Sequence, residues 1–218
     1  MANGLQKETD MTQDPTSTAA ADIAFIRDLA EQGRNTAPLN GPFLIAAAVI
    51  FGIANLGQWA LATGQVDVSP WAPLWLWVGA GAVFGLSLFV LTRRHDTKPG
   101  ANTLVNKAIG ASWTAVGFGI FAAWLAFMGV GFKTGDWAIM WAMPSLVFAA
   151  YGSAWFVAGE MTGRLWMKGI ALLSYAGAAG LGLFIGDAAI YLVFTVLFVL
   201  VALVPGIVLT RQEPAASV

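Results

Sequence analysis

Long apolar runs alternate with short polar segments along the whole chain. Six runs contain no charged residue, and each approaches the roughly 20 residues that cross a bilayer as an α-helix. Apolar residues occupy every face of these runs, so they are not amphipathic helices of a soluble core. The alternation typical of β-barrel strands is absent. The predicted spans are 43–62, 71–92, 108–131, 137–158, 169–186 and 188–210.

Composition supports the same fold class. The chain is 58% hydrophobic and 11% charged, whereas soluble proteins average about 25% charged residues. We therefore predict an all-α membrane protein, a bundle of six transmembrane helices. The chain has no cysteine, which excludes disulfides, thiolate metal sites and cysteine nucleophiles. No basic stretch is dense enough to favour nucleic acid as a partner.

Lysine and arginine are strongly segregated between the two sides of the predicted bundle. Ten lie on one side and only Lys133 on the other. Because cytoplasmic loops retain basic residues, we predict that both termini are cytoplasmic. The acidic start lacks the features of a secretory signal or a transit peptide, which favours the bacterial inner membrane. The ten residues are Lys7, Arg27, Arg34, Arg93, Arg94, Lys98, Lys107, Arg164, Lys168 and Arg211.

The N-terminal region divides into two parts. Residues 1–17 are polar, which predicts a disordered cytoplasmic tail. Within 18–42, apolar residues such as Ile23 and Ile26 recur at helical spacing, which predicts an amphipathic cytoplasmic helix and a linker. The region is acidic overall, so we expect the helix to fold onto its own bundle rather than onto anionic lipid. Residues 211–218 form a second cytoplasmic tail.

An offset of 67 residues aligns the first two spans with the next two. Gly85 then matches Gly152, and Phe84 meets Tyr151. This pattern favours a duplicated two-helix unit, with the last two spans as a third, diverged hairpin. The bundle is then three tandem hairpins. Further matched pairs are Ala48/Ala115, Val49/Val116, Phe51/Phe118, Gly52/Gly119, Ile53/Ile120, Ala82/Ala149, Phe89/Phe156 and Val90/Val157.

Two spans carry small residues at four-residue spacing. Gly81 and Gly85 form a GxxxG face in the second span, and Ser174, Ala178 and Gly182 repeat the spacing in the fifth. Small residues let helix backbones approach closely in lipid, where little hydrophobic force joins helices. We expect both faces to be seams within the chain rather than dimer interfaces.

Two prolines predict distortions of the spans. Pro144 lacks the amide that would bond to the carbonyl of Met140, so we expect a kink in the fourth span. Pro205 predicts a similar distortion near the end of the sixth.

Polar residues within the spans are few. Asn55 and Gln58 lie three positions apart on one face of the first span, and an unsatisfied amide in hydrocarbon costs several kcal/mol. Bonding to a neighbouring helix is the favoured interpretation. The alternative is the polar end of a ligand pocket for a lipid, quinone or carotenoid. The pocket would be completed by Trp59, Trp113, Ser145, Tyr151 and Tyr175.

Ten tryptophans are numerous for this length. An aromatic belt at the membrane interfaces is the favoured explanation. However, Trp71, Trp75 and Trp77 cannot all lie on one face of a helix, so at least one must point into the bundle or a partner.

Candidate catalytic groups are scarce. His95 is the single histidine and lies in the basic loop 93–107, and no charged residue falls in the middle of a span. This pattern disfavours an enzyme, a proton pump, a metal site and a covalent cofactor. We expect a binding or assembly subunit for another membrane protein, a second copy or a hydrophobic ligand. A passive channel for a small neutral or lipid-like solute is the alternative.

Overall fold

The computed structural model describes residues 21–27, 38–66, 68–95 and 100–213, and it contains helices and no strand within these ranges. Six helices are long and apolar enough to cross a membrane, which confirms the six predicted spans. We number them in chain order. They are α1 (Gly41–Ala62), α2 (Ala72–His95), α3 (Leu104–Thr134), α4 (Met143–Thr162), α5 (Leu165–Leu181) and α6 (Ala189–Gln212).

The polar ends of α2 and α3 extend beyond the charge-free runs. Helix α2 continues through Arg93 to His95, and α3 begins at Leu104. Much of the predicted basic loop is therefore helical, while residues 96–99 lie outside the described ranges. Thr103 caps α3 by accepting a hydrogen bond from the amide of Asn106 at 3.4 Å, as N-cap threonines do.

Pro144 begins a helix instead of kinking one. A 3₁₀ turn, Ala138–Ala142, precedes α4, and Pro144 lies in the first turn of that helix. At this position an amide hydrogen would have no acceptor within the helix, so proline is tolerated. The expected kink is therefore replaced by a change from 3₁₀ to α-helix.

Pro205 does coincide with a distortion inside a span. Residues Val199–Leu203 of α6 form a π-helical turn, in which the amide of Val204 bonds to the carbonyl of Val199. Proline has no amide hydrogen, so Pro205 cannot bond to the carbonyl of Val201 as an α-helix would require.

The helices form a core with two helices attached to its sides. Helix α5 packs most extensively on α4, and α6 packs mainly along α1. Helix α2 packs mainly on α1, and α3 mainly on α4. The first span thus packs on the second, and the third on the fourth. In contrast, α5 and α6 share few contacts with each other, so tandem duplication remains a prediction.

Aromatic side chains fill the centre of the core. Phe148 of α4 packs between Phe194 and Phe198 of α6, with ring centroids 5.0 and 6.1 Å away. Phe148 and Phe198 are fully buried. These contacts join α6 to α4, so α6 connects the α1–α2 pair to the rest of the bundle.

Residues 21–27 form a helical stretch, as predicted. Its apolar side chains Ile23, Phe25 and Ile26 are all more than half exposed. These three side chains therefore do not pack on the bundle as expected, and residues 18–20 and 28–37 of the predicted helix and linker lie outside the described residues. The predicted disordered tail 1–17 and residues 214–218 of the C-terminal tail lie outside the described residues.

Candidate functional site

The predicted ligand-binding residues lie on four helices of the bundle. Asn55, Gln58 and Trp59 lie near the end of α1, where Trp59 is half-buried. Trp113 and Tyr151 meet between α3 and α4. Ser145 lies at the start of α4 and Tyr175 on α5. Asn55 and Gln58 share one face of α1, and Trp113 is in contact with Tyr151.

The two amides of α1 are bonded within the chain. Asn55 is buried, and its Nδ2 donates to the carbonyl of Phe51 at 2.8 Å. The Oε1 of Gln58 accepts a hydrogen bond from Nε1 of Trp77 on α2 at 3.0 Å. Gln58 thus bonds to a neighbouring helix. Of the three tryptophans near the start of α2, Trp77 points inward, whereas Trp71 and Trp75 are exposed.

Gln58 also lies near the side chain of Tyr191, which belongs to α6. The Tyr191 ring lies 5.6 Å from the ring of Trp141, in the 3₁₀ turn before α4. Gln58 therefore bonds α1 to α2 and lies near α6 at this end of the bundle. No sequence pattern indicates this proximity, because Tyr191 lies 133 residues after Gln58.

Three aromatic residues form a second cluster between α3 and α4. The ring of Trp113 meets the edges of Tyr151 and Trp155 at centroid distances of 5.0 and 5.6 Å. Tyr151 also packs against Phe198 of α6, at 5.1 Å. Perpendicular ring pairs of this kind are favourable. The cluster therefore holds α3 against the core.

Trp155 completes the distorted turn of α6. Its Nε1 donates to the carbonyl of Val201 at 2.9 Å, and its side chain is fully buried. This carbonyl is the one that Pro205 cannot bond. An aromatic donor from α4 thereby satisfies an acceptor that the α6 backbone leaves available. Pro205 was the sequence signal for this contact, but its donor could not be predicted.

Two buried polar atoms near these groups have no hydrogen-bond partner within the described ranges. They are Nε1 of Trp113 and Oγ of Ser145. Burying such a group without a partner costs free energy, on the order of 1–3 kcal/mol in proteins. Trp113 therefore contributes its rings to packing but not its N–H.

The fifth helix forms a close seam with α4. The ring of Tyr175 lies over Gly152, where an added Cβ would be 2.8 Å from the ring. Its hydroxyl also lies 3.1 Å from Oγ of Ser153. Ser174 is fully buried and bonds to the carbonyl of Ile170. Tyr175 is thus part of a helix seam.

The GxxxG face of α2 does not form a seam within the described chain. No heavy atom lies within 4 Å of a Cβ built at Gly81 or Gly85. The same holds for Gly182 at the end of α5, whereas Ala178 packs against the core. In the fifth helix the close contact is made instead at Gly177, which meets Leu197 of α6.

Helices α2 and α3 present the largest open surface of the bundle. Only 6% of the apolar stretch of each is buried, compared with 39% for α1 and α6. Helix α2 packs on α1 and α3 on α4 rather than on each other, and we call the outward faces of Ala72–His95 and Leu104–Thr134 together the α2–α3 surface. Besides Gly81 and Gly85, five further glycines on it have no atom within 4 Å of an added Cβ. They are Gly79, Gly110, Gly117, Gly119 and Gly129.

Three of the described carboxylates make local contacts. Oε1 of Glu160 lies 2.7 Å from Nζ of Lys168. Asp136 and Asp187 each accept a hydrogen bond from a backbone amide two residues later, at 2.8 Å. The described residues contain no group of three or more histidine, cysteine, aspartate or glutamate side chains that could hold a metal ion.

Comparisons with protein-family models, with curated proteins and with solved structures found no match to this chain.

Proposed function

We propose that this chain is a non-catalytic multi-pass protein of the bacterial inner membrane that binds a partner membrane protein or a hydrophobic ligand. Both termini lie in the cytoplasm, in keeping with the segregation of basic residues to one end of the bundle. The observation that carries the proposal is the openness of the α2–α3 surface, where only 6% of each helix is buried.

The glycines of this surface favour contact over simple exposure to lipid. A glycine offers no side chain to lipid, so it forgoes dispersion contacts that a larger residue would make. In membrane helices, small residues instead allow another backbone or a flat molecule to approach closely. Seven such positions on α2 and α3 have no neighbour within 4 Å of an added Cβ. They supply the surface for the proposed partner.

A channel receives less support from the geometry. A conduit needs polar groups that line a path and remain available to the solute. The amides of Asn55 and Gln58 are instead bonded to Phe51 and Trp77. A liposome flux assay separates the two functions, because saturable or size-selective passage is expected only of a channel.

Photo-crosslinking in native membranes tests the proposed surface. A photoreactive residue at Leu86 of α2 can be compared with one at Leu172 of α5, because the two leucines are 66% and 65% exposed. We expect Leu86 to yield a discrete adduct with a protein or a lipid species, and Leu172 to yield only unselective lipid labelling. Identical unselective labelling at both positions would contradict the proposal.

A further inference from the structure

Two adjacent side chains inside the bundle carry polar groups that have no hydrogen-bond partner. Trp113 of α3 and Tyr151 of α4 pack together with ring centroids 5.0 Å apart. The indole N–H of Trp113 is enclosed, and no described residue accepts its hydrogen. The hydroxyl of Tyr151 also makes no hydrogen bond with any described residue. Each side chain therefore has a hydrogen to donate and no acceptor within the described ranges.

The Tyr151 hydroxyl is the accessible member of this pair. Tyr151 is 8% exposed, and its hydroxyl is not one of the fully enclosed polar atoms that lack a partner. The small exposed part of Tyr151 therefore includes the hydroxyl itself. Trp113 is partly exposed as well, so its ring also borders space outside the chain.

The chain leaves a route to this hydroxyl from the lipid. Tyr151 lies between Trp113 of α3 and Phe198 of α6, whose ring is 5.1 Å away. Helix α3 packs mainly on α4, and only 6% of its apolar stretch is buried. A molecule dissolved in the hydrocarbon can therefore approach along α3 without displacing another described helix.

Depth restricts the chemistry of such a molecule. Trp113 is six residues from Lys107, and Tyr151 is nine residues from Glu160, which are the nearest charged residues on the two helices. These separations are about 9 and 14 Å along the helix axes. An anion at this depth would be buried in hydrocarbon without a nearby cation, at a large cost in free energy. The missing acceptor is therefore an uncharged oxygen.

The surrounding rings favour a flat ligand. Trp155 lies 5.6 Å from Trp113, and Phe198 lies against Tyr151. Contacts between aromatic rings are favourable beyond the area that they bury. A phospholipid is a poor candidate, because its polar groups lie outside the hydrocarbon layer. An uncharged ring that carries a carbonyl oxygen meets both requirements.

We infer that Tyr151 and Trp113 bind the carbonyl oxygen of a lipid-soluble quinone. The Tyr151 hydroxyl donates to this oxygen, and the Trp113 N–H donates to it after a rotation of the partly exposed indole. The quinone ring then packs against the aromatic side chains of α4 and α6. The inference goes beyond the proposed function, because these two residues lie where α3 meets α4 and not on the α2–α3 surface.

Equilibrium binding of decylubiquinone to the full chain in detergent micelles tests this inference, with protein-free micelles as the reference for partition of the probe. We expect saturable binding to the wild type and about 10-fold weaker binding to Tyr151→Phe, which loses one hydrogen bond and keeps the ring. Tyr175→Phe is the matched control, because it removes a hydroxyl from the α4–α5 seam, and it should bind like the wild type. Decylbenzene, which has no carbonyl, should not distinguish Tyr151→Phe from the wild type.

Two outcomes of this experiment overturn the inference. One is the absence of saturable decylubiquinone binding to the wild type, and the other is equal affinity in the wild type and Tyr151→Phe. Tyr151→Phe should fold at least as stably as the wild type, because it removes a buried hydroxyl that has no partner. A thermal melt without quinone checks this expectation.

Infrared spectroscopy of the wild type provides a measurement that needs no variant. A hydrogen bond from Tyr151 should lower the stretching frequency of one quinone carbonyl on binding, and an unshifted carbonyl band would overturn the inference. Crosslinking at Leu86 reports on the α2–α3 surface alone. A failure of quinone binding is therefore distinguishable from a failure of the proposed function.

Discussion

Gly152 on α4 and Gly85 on α2 occupy matching positions in the two predicted hairpins, 67 residues apart, but their surroundings differ. A Cβ added at Gly152 would lie 2.8 Å from the Tyr175 ring of α5, whereas one at Gly85 would have no atom within 4 Å. Glycine thus lies at a close helix–helix contact in α4 and on an open face in α2. A small-residue motif indicates that close approach is possible, but it does not identify what approaches.

The difference extends to the whole helices. Helix α4, together with its preceding 3₁₀ turn, buries 44% of its apolar stretch, and α2 buries 6%. Stability within the chain should therefore depend on α1, α4, α5 and α6, and binding on α2 and α3. Paired substitutions in the two regions test this division.

The largest effect is expected at the seam between α1 and α6. A Cβ at Gly41 would lie 2.6 Å from the backbone nitrogen of Thr210 and 2.8 Å from the carbonyl oxygen of Gly206. Because backbone atoms cannot move aside, Gly41→Ala should destabilise the fold by about 3 kcal/mol. Gly81→Ala is the matched change on α2 and should cause no loss. Equilibrium unfolding in mixed micelles measures both, and equal losses would refute the division.

A smaller effect is expected at Gly152. The obstructing group is the Tyr175 ring, a side chain that is 39% exposed and able to rotate away. Gly152→Ala should therefore cost about 1–2 kcal/mol. Gly85→Ala should leave the unfolding midpoint unchanged or raised. If Gly152→Ala proves as harmless as Gly85→Ala, the α4–α5 seam is looser than the structure indicates.

The two neighbouring tryptophans provide the third comparison. Trp155→Phe removes the hydrogen bond to the carbonyl of Val201 and should cost about 1 kcal/mol. Trp113→Phe removes a similar ring area, but its buried N–H has no partner among the described residues, so its loss should be smaller than that of Trp155→Phe. Unfolding curves of the two variants measure the difference, and equal destabilisation would argue against a bond specific to Trp155.

The smallest effect concerns the ion pair at the end of the core. Glu160 and Lys168 are 53% and 31% exposed, and pairs of this kind contribute below about 1 kcal/mol. Glu160→Gln should lower stability slightly, and added salt should remove the difference from wild type. Arg93→Gln should leave stability unchanged at any salt concentration. A salt-insensitive loss in Glu160→Gln would show that the carboxylate acts through packing.

The spans were predictable from sequence because uninterrupted apolar composition is a local property. Their ends were harder to place. Helix α3 was predicted at 108–131, but it begins at Leu104 because Thr103 caps it and because Lys107 is accommodated in its first turn. A charged residue does not end a helix, because long basic side chains can extend toward water from the last turns of a span.

The candidate site was less predictable because its contacts join distant parts of the chain. Spacing placed Asn55 and Gln58 on one face and required Gln58 to have a partner, and this was sufficient to expect a bond between helices. It did not identify Trp77 as the donor or Tyr191 as a neighbour. Likewise, Pro205 indicated a distorted turn, but only packing shows that Trp155 bonds there.

The hydrogen bond from Trp155 to Val201 also bears on the order in which the protein is made. Trp155 leaves the ribosome 46 residues before Val201, so the fourth helix can be in the bilayer before the last one enters. The Nε1 of Trp155 is then already in place to bond to the Val201 carbonyl of the last helix. Correct insertion of the C-terminal segment is thereby coupled to earlier placement of the fourth helix. A nascent chain that lacks the fourth helix would finish synthesis with the Val201 carbonyl exposed. Membrane quality control could recognise such an unbonded acceptor.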